Sequence, residues 1–179
     1  MFAGLDWNLV VTAHGGRRHD LVYALRPIVK LRRAGFAEVL VGRTDDVAAC
    51  LDGIAARAAD PIFASEVLAR VVPVVRTFPL AADIEAQLVA EVAGLAGALA
   101  GLSFHVRVER RGHKRLVQSN HVERLLGATL VDALHAQGRA PRVTFDDPDT
   151  IVAVELIGDV AGIGLVSRDL RMRYPFVRL

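Results

Sequence analysis

Phe104-His105-Val106-Arg107-Val108-Glu109-Arg110-Arg111-Gly112-His113-Lys114-Arg115 begins as strict alternation and ends as consecutive charge. A period of two is that of a half-buried strand, with Phe104, Val106 and Val108 on one face and His105, Arg107 and Glu109 on the other. The spacing predicts a strand over 103–109 and a basic loop over 110–118. Downstream, Asp146-Asp147-Pro148-Asp149 has the composition of a turn. Val152-Ala153-Val154-Glu155-Leu156-Ile157 belongs to a strand over 151–157. Gly158-Asp159 joins it as a tight hairpin to a strand over 160–166.

The flanking segments fit around these strands. Ile84, Leu88, Val92, Leu95 and Leu99 form one stripe of a helix expected over 82–100, with Gly101 as its C-terminal stop. Ser119 or Asn120 can cap a second helix whose apolar face is Val122, Leu125, Leu126, Leu130, Ala133 and Leu134, ending at Gly138. Residues 143–145 are a short strand candidate.

The first part of the chain reads as strand, helix, strand, strand, helix, strand. The strands are expected over 7–13, 28–33, 36–42 and 68–78, and the helices over 18–26 and from Thr44 or Asp45 to about 59. Pro73 implies a bulge or a sheet edge in the fourth strand. Val47, Cys50, Leu51, Ile54 and Ala58 repeat at helical spacing. The order is the ferredoxin-like β-α-β-β-α-β pattern. Pro79 marks a boundary between units 1–79 and 80–179.

Composition narrows the class. At 179 residues, 53% of them hydrophobic, the chain can bury one large core or two small ones, and long disorder is excluded. The uncharged run 92–102 is too short to cross a bilayer, so no membrane association is expected. No basic or apolar leader precedes Asp6, which points to the cytoplasm. Cys50 is the single cysteine, expected on the buried face of its helix. Net charge is +2, yet the pI is about 9.1 and only Lys30 and Lys114 are lysines. An Arg-rich surface suits RNA, because guanidinium forks onto phosphate and stacks on bases. Arg in place of Lys through compositional bias explains the same count.

From 82 to 165 the order helix, strand, basic loop, helix, turn, strand, strand resembles a THUMP domain, an RNA-binding module of tRNA-modifying proteins. The most specific pieces are Asp147-Pro148-Asp149 and Val154-Glu155-Leu156-Ile157, spaced after 104–114. Residues 1–80, through Trp7-Asn8-Leu9-Val10-Val11 and Val39-Leu40-Val41-Gly42-Arg43, look like the ferredoxin-like unit that precedes THUMP. The arrangement is similar to stand-alone THUMP proteins that act as tRNA-binding adaptors, notably the partner of tRNA cytidine acetyltransferase. The resemblance implies an α/β (α+β) protein of two small domains that binds the 3′ end and acceptor stem of tRNA. It implies a separate modifying enzyme as partner and no cofactor. Enzymes of the family carry a further domain. None is recognised before Leu179, so catalysis by this chain is not expected.

Candidate residues divide into sets. Arg107, Arg110, Arg111, His113, Lys114 and Arg115 concentrate positive charge, and Gly112 would let the backbone approach a phosphate. The alternative is a solvated basic loop paired with Glu109 and Glu123. Arg168, Arg171, Arg173 and Arg178 either extend that patch or form a loosely held tail. Tyr174 and Phe176 either stack on bases or hold the tail to the core, the second being expected. Glu155 can pair with Arg107 across the sheet. Gly162 and Gly164 leave room for a ligand or, as expected, a helix. His105, His113 and His121 lack the spacing of a zinc motif, so no metal is expected. A competing reading is a small RNA-processing or RNA-modifying enzyme with a His/Glu site. A third is a ferredoxin-like regulator with a small ligand between its domains. His14-Gly15-Gly16-Arg17-Arg18 is a tight turn or a small anion loop without the P-loop ending.

Overall fold

The computed structural model describes residues 6–113 and 116–179, and among these residues the strands form two sheets packed against each other. The first contains β1 (Leu9–Ala13), β2 (Leu31–Arg33), β3 (Val39–Gly42) and β4 (Leu68–Pro73). Their order is β2-β3-β1-β4 and every pairing is antiparallel. With α1 (Arg18–Leu25) after β1 and α2 (Val47–Arg57) after β3, this is the expected ferredoxin-like arrangement. The buried run Leu9-Val10-Val11 is central because an interior strand has both faces covered. Asp46 caps α2, its carboxylate accepting from the Ala49 amide at 2.9 Å. That is one residue beyond the expected cap: Thr44 Oγ1 instead accepts from the Asp46 amide at 3.3 Å and closes the preceding turn. Cys50 is buried beside Leu51 and Ile54, as expected.

The single strand expected over 68–78 is two. β4 ends at Pro73, and β5 (Arg76–Pro79) pairs with the second sheet. Between them the Val74 amide donates to Asn8 O at 2.9 Å and the Val75 amide to Ile163 O at 2.8 Å, so the chain changes sheets in one step. A π-helical turn at Phe63–Val67, started by Asp60 accepting from the Ile62 amide, precedes β4 and was not expected from the sequence.

The second sheet adds β6 (Ser103–Arg111), β7 (Arg142–Val143), β8 (Thr150–Ile157) and β9 (Val160–Ser167) in the order β5-β9-β8-β6-β7. β6 runs parallel to β7 and β8, connected through α4 (Ser119–Ala136). The helix expected over 82–100 stops early. It is α3 (Ile84–Ala93), followed by a 3₁₀ turn at Ala96–Leu99, because Gly94 and Gly97 weaken helix propagation there. No side chain caps α4, contrary to the expectation for Ser119 or Asn120.

The even positions of β6 and β8, such as Phe104, Val106, Val154 and Leu156, pack on Leu88 and Val92 of α3 and Leu126 and Leu130 of α4. The odd positions Ile151, Ala153 and Ile157 join the core of the first sheet with Trp7 and Val11. β8 is therefore covered on both faces. Gly162 and Gly164 are closed by Trp7 and by the Pro73–Val74 backbone. The neighbour expected there was a helix, but this face of β9 meets the first sheet.

The C-terminal segment is held. Ser167 caps α5 (Arg168–Arg173), accepting from the Leu170 amide at 3.2 Å. Tyr174 is buried, and the Val71 amide donates to Phe176 O at 2.9 Å. Tyr174 and Phe176 hold the tail to the core. No helix among the described residues is long and apolar enough to cross a membrane.

Candidate nucleic-acid interface

β6 runs two residues further than the alternation indicated, which changes the fate of its basic end. Arg110 and Arg111 lie in the strand, not in a loop. Arg111 is 14% exposed and its guanidinium donates to Glu155, which is fully buried on β8. Arg70 on β4 stands 3.6 Å from the same carboxylate. Burial pushes the Glu155 carboxyl above its ordinary range, and Arg111 and then Arg70 pull against that shift. Glu155 does not pair with Arg107 as expected. In the parallel register Glu155 lies opposite Glu109, and the cations that reach it come from the strand end and from the first sheet.

Arg107 is half exposed and stands 3.7 Å from Glu123 on α4. Glu123 also accepts from the Val108 amide at 2.9 Å, covering a β6 edge group that β7 is too short to pair. Among the described residues the Arg110 side chain takes part in no hydrogen bond or ion pair, and its buried Nε and Nη1 have no partner there. His113 has φ +49°, its Nε2 lying 3.0 Å from Gly158 O and 3.4 Å from Asp159. Gly112 has φ +105°, a backbone conformation that side-chain-bearing residues rarely adopt, and it stands at ordinary contact distance from Phe36 and Gly158. Lys114 and Arg115 lie outside the described residues.

Arg168, Arg171 and Arg173 of the second basic set are neutralised locally. Arg168 contacts Asp147 at 2.9 Å and Asp149 at 2.7 Å, and Arg171 contacts Asp147 at 3.3 Å. Arg173 contacts Asp52 at 2.8 Å, on the same carboxylate oxygen that accepts from the Tyr174 hydroxyl at 2.7 Å. Arg178 donates to Ala69 O at 2.7 Å. The turn 146–149 is thus an acidic clasp. Asp149 accepts from the Ser103 amide at 2.7 Å and the Ser103 hydroxyl at 2.8 Å. Those bonds first, and the Arg168 and Arg142 charges next, hold its carboxyl below the ordinary range against partial burial. The hydrogen bond to Asp147 raises Arg168 further.

One feature was not read from the sequence. His105 Nδ1 lies 3.0 Å from Thr144 O, and the ring stacks on Phe145 with centroids 5.1 Å apart and planes at 25°. Phe145 is 80% exposed. The pair borders a groove of about 410 Å³ between β6–β7 and α4, lined also by Val131, Val143, Asn120, Glu123 and Arg124. Among the described residues Arg124 has no ion-pair partner. The available signal was Val143-Thr144-Phe145, an aromatic at the end of a short edge strand beside the polar face of β6.

The histidines do not converge. His105 serves Thr144, His113 serves Gly158, and His121 stands 3.5 Å from Glu85. Among the described residues no group of three His, Cys, Asp or Glu side chains is placed to hold a metal. At His14-Gly15-Gly16 the Gly16 amide donates to Glu38 Oε1 at 3.1 Å, so a carboxylate of the chain already occupies that turn.

Residues 82–166 match the model of the THUMP domain family, and this segment is a THUMP domain. Among solved structures, PH1313 from Pyrococcus horikoshii is similar at TM-score 0.61 and 11% identity, over 88% of this chain and 53% of that one. TrmN from Thermus thermophilus is similar at TM-score 0.59 and 24% identity, over 88% and 44%. A 4-thiouridine synthetase, in complex with RNA and bound ATP, is similar at TM-score 0.52 and 16% identity, over 89% and 41%. At these identities the likeness establishes the fold. The chain spans about half the length of these proteins or less. No curated protein sequence matches it significantly.

Proposed function

We propose that the protein binds tRNA through its THUMP domain and, without catalysing a reaction itself, presents it to a separate modifying enzyme such as a cytidine acetyltransferase. The observation that carries this reading is the groove within the THUMP segment, where an exposed aromatic stack, His105–Phe145, shares the lining with Arg124, a cation without an ion pair among the described residues. An unpaired base can stack on Phe145, and a phosphate can be met by Arg124. That is the chemistry of a single-stranded end, so the groove is assigned to the 3′ end of tRNA and the neighbouring cations to the acceptor stem. Arg107, Arg110 and His113 supply phosphate contacts on this side, and Lys114 and Arg115, which follow His113 in the sequence, are assigned to further phosphates. Arg168, Arg171 and Arg173, bound to Asp147, Asp149 and Asp52, shape the surface and reach RNA only by exchanging those partners. Unit 80–179 holds the RNA and unit 1–79 supports it.

The test compares intact tRNA with tRNA shortened at its 3′ end, against the natural protein and Phe145→Ala. Shortening the RNA and removing the ring should each weaken binding about tenfold, and together little more than either alone. Equal affinity for both RNAs would overturn the 3′-end assignment. Recovery of a modifying enzyme with the protein from its host supports the adaptor role. A modified nucleoside made by the chain alone, and lost in His113→Ala, would establish the enzymatic alternative instead.

A further inference from the structure

We propose that the ferredoxin-like unit carries a docking groove for a protein partner, in which an extended acidic peptide adds as a strand to the open edge of β2 and lies against α1. This docking is separate from tRNA binding and does not depend on it.

β2 is the outermost strand of its sheet. The Ala34 amide donates to Val39 O at 3.2 Å, and Arg32 stands opposite Val41. In an antiparallel ladder only alternate residues exchange bonds with the neighbour. Ala34 and Arg32 therefore turn inward, and Leu31 and Arg33 turn their N–H and C=O groups outward. Among the described residues nothing pairs with these outward groups. Such an edge is a template for a further strand. A groove of about 360 Å³ adjoins it, with Val22, Leu31 and Leu40 as its apolar lining and Tyr23, 80% exposed, at its side. In this geometry main-chain bonds supply affinity, and pockets for alternate side chains supply selectivity.

Charge decides the occupant. Arg18, Arg26 and Arg33 line the groove, and no carboxylate does among the described residues. None of the three has an ion pair there, whereas Arg17, Arg57, Arg76 and Arg168 each have one. Cations along an edge repel a second copy of that edge. They attract a strand that carries carboxylates. The apolar lining calls for aliphatic side chains at alternate positions, and a sugar–phosphate backbone brings none. The occupant that meets all three features is an extended protein segment with aliphatic residues at alternate positions and acidic residues around them.

The probe is a synthetic peptide of about eight residues, the span of a strand, with valine at alternate central positions and aspartate elsewhere. Binding is read from the backbone amide NMR signals and their hydrogen exchange. In the free protein the Leu31 and Arg33 amides should exchange as open groups, and the peptide should shift both signals and slow their exchange. Arg26→Gln/Arg33→Gln should weaken the peptide roughly tenfold. Arg33→Pro removes an outward amide and no ladder bond, so it should bind about fivefold more weakly than Arg33→Gln. If Arg33→Pro does not fold by circular dichroism, a peptide N-methylated at alternate amides tests the same pairing from the other side. Serine in place of valine should abolish binding. Equal affinity for the serine peptide would overturn the groove, as would unshifted Leu31 and Arg33 amides at millimolar peptide. Slow exchange of both amides in the free protein would overturn it too, because the edge would already be covered. Displacement of the peptide by tRNA, with the same two amides slowed, would assign the face to nucleic acid instead. Labelled tRNA is titrated in parallel: tRNA binding without peptide binding overturns the groove alone, and the reverse result overturns the tRNA reading alone.

Discussion

Arg110 and Arg111 are adjacent, equally charged and in one strand, yet they have opposite roles. Arg111 neutralises a buried carboxylate, so Arg111→Ala should cost about 3 kcal/mol, the low end for breaking a buried pair because Arg70 still faces Glu155. Chemical denaturation checks this, and RNA affinity per folded molecule should not change. Arg110 has no side-chain partner among the described residues, so Arg110→Ala should leave stability within about 0.5 kcal/mol. It should flatten the salt dependence of RNA binding by about one. The sequence showed the density of charge but not its division, because neutralisation depends on which strand lies opposite. Glu155 is 44 residues from Arg111, and its second cation comes from the other sheet. The same holds for Arg168, Arg171 and Arg173, whose counter-charges are in a turn some 20 residues earlier and on α2. Asp149 sets a pH dependence. Its carboxyl is held below the ordinary value of 3.8, so the stabilisation it gives is complete above that value and lost as pH falls through the lower folded one. Thermal melts from pH 5 downward should show the natural protein losing stability more steeply than Asp149→Asn.

The elements were largely legible from periodicity and turn chemistry: the alternation of β6, the Gly158-Asp159 hairpin and the apolar stripe of α4 each name their own structure. What was not legible follows from tertiary competition. The run 68–78 reads as one strand because every residue suits a strand. It divides because Val75 finds its partner in Ile163 rather than in β1. The glycines of β9 carried a correct signal of close approach and a wrong guess at the neighbour. Gly164→Ala places a methyl group against Pro73 O and the Val74 backbone, which cannot rotate away. It should destabilise by about 3 kcal/mol, at the upper end of overpacking, and lower the midpoint of urea unfolding accordingly. Gly127→Ala, on α4 where no atom lies within 4 Å of the added carbon, is the control and should be neutral or slightly stabilising.

Across the whole molecule, a THUMP sheet is sandwiched between its own helices and a ferredoxin-like sheet, and the C-terminal segment returns to β4. The shared core means that the two units hold a fixed relation, so cations on both can be presented to one ligand. The fold class was readable because each unit has a distinctive element order. The RNA surface was only half readable, since its aromatic component, Phe145 on His105, depends on an edge strand of two residues. The central claim is that this surface binds tRNA through phosphates and unpaired bases. Its most direct test is the affinity of the natural protein for intact tRNA between about 50 and 200 mM salt. Binding should be tight at the low end and fall by about 10³-fold or more across the range if about six phosphates are engaged. Absence of binding to tRNA at 50 mM salt would contradict the claim, as would an affinity indifferent to salt.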